Sequence, residues 1–124
     1  KTVSLEEFVE YSKSMFAYWT EDDFAASFRK MLTIEQFRSE EMQGLYQQYL
    51  SSGPAAYVKD LFESMGIAHA EKNAVRFYAM MYFYYSVYDG ADDKEKVKNE
   101  FASAIGIMAQ EWIKQPKLTQ IRKS

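Results

Sequence analysis

Residues 74–88 read AVRFYAMMYFYYSVY, and only Arg76 and Ser86 interrupt the apolar and aromatic run. A surface helix needs one apolar stripe, whereas a helix apolar nearly all round must be covered all round. A chain of 124 residues can bury one side of such a helix in its own core. The remaining sides ask for a ligand or a second copy of the chain. The pattern therefore predicts a protein that pairs with itself, encloses a greasy molecule, or both.

The rest of the chain reads as helix, with five main helices and one short one. Ser4 and Glu7 have the spacing of a capping box ahead of the first. Leu5, Phe8, Met15 and Trp19 hold helical spacing there, widened by Val9, Tyr11, Phe16 and Tyr18. Thr20 reads as the next N-cap, followed by Glu21, Asp22 and Asp23, where the helix dipole favours acids. Phe24, Phe28, Met31 and Leu32 continue at spacings of four and three. Thr33 and Gln36 predict one short turn of helix, TIEQF. Ser39 caps the next segment, whose face is Met42, Leu45, Tyr46, Tyr49 and Leu50. Gly53-Pro54 breaks or kinks it. Tyr57, Val58, Leu61, Phe62 and Met65 then keep the rhythm to a stop at Gly66. The apolar helix spans about 70–88 and ends at the Asp89-Gly90 turn signal. A last helix starts near Asp92 or Asp93 with the stripe Val97, Phe101, Ala104, Ile105, Met108 and Trp112, and Pro116 ends it.

Composition sharpens this picture. Hydrophobic residues make up 48% and charged residues 27%, which is ordinary, but aromatics reach 17% with 10 Tyr, 9 Phe and 2 Trp. Five Gly and two Pro are too few for the turns of an all-β fold. The expected class is all-α, a single helical-bundle domain over 1–124. Net charge is −3, with acids outnumbering bases 18 to 15, so there is no basic footprint for nucleic acid. The basic cluster at 114–123 reads as a solvated tail. Cysteine is absent, which removes disulfides, thiolate metal sites and cysteine nucleophiles together. The start, KTVSLEEF, has no apolar secretory core, and the run 77–85 is far shorter than the roughly 20 residues of a membrane span. A cytoplasmic location fits, with no membrane partner.

Catalytic constellations do not emerge. His69 is the one histidine, beside a turn, and reads as a surface or cap residue. It has no second ligand for a metal and no Ser or Asp at a triad spacing. No phosphate-binding glycine loop and no di-iron ExxH is present. Glu6-Glu7 and Glu40-Glu41 are explained by helix starts. Arg76 projects to the side of Met80, Phe83 and Val87, where an ion pair with a nearby acid is the ordinary explanation and an anchor for an anionic ligand the sharper one. No cofactor, metal or catalytic residue is expected, and the chain does not read as an enzyme. What stands out instead is Tyr11, Tyr46, Tyr49, Tyr57, Tyr78, Tyr82 and Tyr85, whose hydroxyls need partners if buried. A cavity with a few polar handles would suit them.

The runs LTIEQFRSEEMQGLYQQYL (32–50), GPAAYVKDLFESMGI (53–67) and AVRFYAMMYFYYSVYD (74–89) resemble the C-terminal effector-binding and dimerisation domain of TetR-family transcriptional repressors. The resemblance covers most of the chain and rests on helix pattern and short phrases. It implies an N-terminal helix-turn-helix DNA reader, followed by a helical domain whose last two helices pair with a twin into a four-helix bundle. It also implies a small apolar or aromatic effector enclosed by the preceding helices. The residues from Lys1 onward include no such reader, as expected of either a fragment of a longer protein or a chain that has lost its reader, so this chain alone is not expected to bind operator DNA, and its pocket could lack one wall.

The apolar stripes and the resembled pocket walls together predict a ligand site between the first helix, the helices at 20–32 and 54–65, and the inner face of the apolar helix. Its expected lining is Met15, Trp19, Phe28, Met31, Tyr57, Leu61, Phe77, Tyr78 and Met81. Dimer contacts are expected from Met80, Phe83, Tyr84, Val87, Ala102, Ile105, Gly106, Ala109 and Trp112, where small residues would let another helix approach. The alternative is a homodimeric interaction module whose aromatics pack solid, with no cavity.

Overall fold

In the computed structural model, which describes residues 3–114, the capping box at Ser4 forms in both directions. The Glu7 N–H donates to Ser4 Oγ at 3.1 Å, and the Ser4 N–H donates to Glu7 Oε1 at 2.9 Å. It opens α1 (Leu5–Glu21), and α2 (Asp23–Glu35), α3 (Glu40–Leu50), α4 (Ser52–Ser64), α5 (Ala70–Gly90) and α6 (Lys94–Lys114) follow. Among the described residues there is no strand, and the fold is all-α.

Two helix starts differ from the pattern reading. Thr20 is not a cap. Helix α1 runs through it, and its buried hydroxyl donates to the Phe16 carbonyl at 2.6 Å. Asp22 caps α2 instead, accepting the Ala25 N–H at 2.9 Å. The separate turn of helix at 33–37 does not exist either. α2 continues to Glu35, with the Thr33 hydroxyl donating to the Arg29 carbonyl at 2.8 Å. In both places a threonine bonded back to the carbonyl four residues earlier, which a helix interior tolerates.

The other boundaries follow their local chemistry. Ser39 accepts the Met42 N–H at 3.2 Å and starts α3. The path breaks at Ser51, so α3 and α4 are separate helices, with Pro54 in the first turn of α4. Gly66 has φ of +77°. Its N–H bonds the Glu63 carbonyl and the Ile67 N–H bonds the Phe62 carbonyl, a Schellman stop for α4. Exposed His69 stands at the N-cap of α5 with φ of +54°, and the Asn73 side chain bonds the Ala68 carbonyl at 2.7 Å beneath it. Asp93 Oδ1 accepts the Lys96 N–H at the start of α6. The expected stop at Pro116 and the basic tail lie outside the described residues.

Helix α5 is the spine, packed against α1, α4 and α6, while α2 bridges α1 to α3 and α3 leads into α4. Its inward stripe of Phe77, Met81 and Tyr85 joins Phe8 and Phe16 of α1, Phe62 of α4, and Phe101, Ile105 and Trp112 of α6. Rings dominate this core. Phe16 stacks on Phe101 at 4.4 Å, and Phe62 meets Trp112 edge-on at 4.6 Å. Burying each such ring contributes on the order of 2–3 kcal/mol. A smaller cluster of Leu32, Tyr46 and Leu50 joins α2 to α3.

The outward strip of α5 carries Val75, Ala79, Phe83 and Ser86, with Phe83 60% exposed. On α6, among the described side chains, the large apolar residue left exposed is Ile107. Among the expected dimer contacts, Met80, Tyr84 and Val87 are half-buried against the core, and Ala102 and Gly106 are half-buried on α6. Ile105, Ala109 and Trp112 instead share the inward stripe with Phe101 and are buried in the chain's own core.

Candidate functional site

A cavity of about 250 Å³ lies between α1, the α3–α4 junction and α5. The walls follow from three local features. Helix α1 turns Phe8, Tyr11, Ser12, Met15 and Trp19 towards it, at helical spacing. Helix α5 supplies Phe77, Tyr78, Met81 and Tyr85 from the same stripe that feeds the core. The junction supplies Gln48, Tyr49, Gly53, Pro54, Tyr57 and Val58. Gly53 is required there, because a Cβ would collide with the Gln48 carbonyl oxygen.

Six of the nine expected lining residues meet in this space: Met15, Trp19, Tyr57, Phe77, Tyr78 and Met81. Three do not, and α2 is not a wall. Phe28 belongs to the α2–α3 cluster, stacked on Phe24 at 6.0 Å and edge-on to Tyr49 at 5.4 Å. Met31 faces solvent, and Leu61 packs against the main core outside the lining. The reason is that α2 leans on α3, so α3 and its junction take the place expected for α2. Pattern reading missed Tyr11, Tyr49 and Tyr85 as lining, although they were among the hydroxyls flagged as needing partners.

The cavity is apolar inside and tyrosine-rimmed. Tyr11, Tyr49 and Tyr57 are exposed at its mouth. Deeper in, the Ser12 hydroxyl donates to the Phe8 carbonyl at 2.8 Å and the Tyr78 hydroxyl donates to the Leu50 carbonyl at 2.6 Å. Burial pushes the Tyr78 and Tyr85 phenols well above their usual value, so both stay protonated. Tyr78 also borders a second, shallower space of about 370 Å³ with Tyr46, Leu50, Ala55, Val75 and Tyr82. The Tyr46 and Tyr82 hydroxyls bond each other on its edge.

Behind the cavity stands Arg29, which patterning passed over. It is 4% exposed. Its guanidinium donates to both carboxylate oxygens of Asp89 at 2.8 and 2.9 Å and to the Trp19 carbonyl at 3.0 Å, and lies 4.9 Å over the Tyr85 ring. It thus ties α2, the end of α1 and the end of α5 behind two lining side chains.

No family model, curated protein or solved structure matches the chain.

Arg76 takes the ordinary role, 3.6 Å from Glu111 across the α5–α6 pair and 3.2 Å from Asn73 Oδ1, on the surface and away from the cavity. Among the described residues, no three His, Cys, Asp or Glu side chains converge as a metal site, and no helix is long and apolar enough to cross a membrane.

Proposed function

We propose that this chain is a ligand-sensing and dimerisation domain of the kind that TetR-like repressors carry, and that it works by binding rather than by catalysis. The observation that carries the reading is the apolar cavity, at which side chains from α1, α4 and α5 converge. Helix pattern and the phrases at 32–50, 53–67 and 74–89 support the family analogy. The exposed Val75 and Phe83 on α5 and the exposed Ile107 on α6 support a twin docking on the α5–α6 pair. In this reading a small apolar or aromatic effector enters past Tyr11 and Tyr57. Its preference for one conformation shifts the pair of subunits, and a helix-turn-helix domain outside this sequence would carry the response to DNA. A cytoplasmic location goes with that role.

Two measurements test it. Mass spectrometry of denatured purified protein looks for a co-purifying small aromatic or lipid-like molecule. Equilibrium dialysis with naphthalene measures the cavity directly. Phe77→Ala and Met81→Ala are expected to weaken naphthalene binding several-fold while sedimentation still finds the wild-type assembly. Absence of binding by wild-type protein would leave an interaction module, with the cavity a packing defect.

A further inference from the structure

The lining contains no Asp, Glu, Lys, Arg or His. A charged ligand would be stripped of water with nothing to pair it, and burying an unpaired charge is strongly unfavourable. Arg29 adds a second reason against a cation. It already occupies one face of Tyr85, and its ion-pair partner Asp89 is shared with Lys30.

Among the buried lining residues, the polar groups are spent with one exception. Ser12 and Tyr78 donate to backbone carbonyls. Tyr85 is 3% exposed and lines the cavity, yet its hydroxyl makes no hydrogen bond among the described residues. Burial keeps that phenol protonated, so it offers a donor. Size bounds the rest. A cavity of about 150 Å³ holds benzene, so about 250 Å³ suits two fused rings.

Building on the ligand-sensing reading, we propose that the cavity takes an uncharged, flat, bicyclic aromatic molecule whose carbonyl or ring acceptor receives the Tyr85 hydroxyl. The faces of Phe77 and Trp19 and the sulfurs of Met15 and Met81 supply apolar contact, and Tyr85 supplies direction.

Four probes of matched size test this on the full chain at neutral pH: coumarin, naphthalene, N-methylquinolinium and 2-naphthoate, each by equilibrium dialysis. Coumarin is expected to bind about fivefold to tenfold tighter than naphthalene, the worth of one neutral hydrogen bond. The two ions are expected to bind at least about tenfold more weakly than coumarin. Tyr85→Phe should bring coumarin down to the naphthalene level and leave naphthalene unchanged, with the melting temperature confirming the fold. If that variant does not fold, the wild-type ranking decides. Coumarin no tighter than naphthalene, an ion as tight as coumarin, or equal losses for both neutral probes in Tyr85→Phe would overturn the assignment while leaving a binding cavity. Silence from all four probes would instead remove the ligand-sensing reading itself.

Discussion

The Arg29–Asp89 pair decides how the end of α5 is held. Arg29 is almost wholly enclosed while Asp89 is partly open to water. Removing the carboxylate therefore strands a buried cation. Asp89→Asn is expected to cost about 1.5–3 kcal/mol, the range for hydrogen bonds to charged groups, read as a lower urea midpoint at unchanged slope. The tyrosines set a second single-residue expectation. Burial raises Tyr78 and Tyr85, and burial with the Tyr46 hydrogen bond pushes Tyr82 up to about 12. Folding thus favours their neutral forms over an unfolded value near 10. That contribution is complete below about pH 10 and fades as pH rises through the folded values. The last phenolates to form and the loss of helical circular dichroism should therefore come together above that point. Phenolate appearing fully at about pH 10 with helicity intact would contradict it. The tyrosine hydroxyls were visible in the sequence as groups in need of partners, but Arg29 was not. Its place one residue after Phe28 and three before Leu32 put it on a partly apolar face, and only the fold brings Asp89, 60 residues away, within reach.

Helix ends explain most of what patterning saw and what it missed. Ser4, Ser39, Gly66 and Pro54 act locally, so their meaning can be read without the rest of the chain. Thr20 and Thr33 have two local options, capping or bonding backwards to a carbonyl, and packing chose the second. Glycines offer a matched test. Gly44 lies in α3 with open space around it, and Gly53 presses on the Gln48 carbonyl. Gly44→Ala is expected to stabilise by about 0.5–1 kcal/mol through helix propensity. Gly53→Ala is expected to destabilise by about 1–3 kcal/mol through overpacking and to weaken naphthalene binding as well, because the junction is a cavity wall. Thermal melts of both variants check the sign. The replacement of α2 by that junction as a wall could not be read from periodicity, which gives a helix its face but not its neighbour.

At the scale of the molecule, the all-α class and the inward apolar stripe of α5 were legible in the pattern, while Val75 and Phe83 on its outer side stay exposed. The division of α6 was not, because its apolar stripe and its small residues both looked available to a partner. The structure commits Ile105, Ala109 and Trp112 to the interior and leaves Phe83 and Ile107 outside. The proposed dimer then rests on that outer strip. Sedimentation at micromolar concentration is expected to give twice the chain mass, and Phe83→Lys to give the chain mass with helicity intact. Stable dimers of this kind bury on the order of 2,000 Å² of mostly apolar surface, and an unpaired lysine charge buried in such a surface is strongly unfavourable. A well-folded wild-type monomer would end the proposal. The core and the cavity also differ in what surrounds their indoles. Trp112 is sealed among Phe8, Phe62 and Phe77, and its Nε1 has no hydrogen-bond partner among the described residues. Trp19 borders the cavity. In optical terms the two are separate lamps. The sealed indole emits towards the blue and dims only when the core opens, whereas the cavity indole changes with whatever enters beside it. Folding and occupancy can then be followed by colour in one unlabelled sample, and a red shift on heating reports the first without the second.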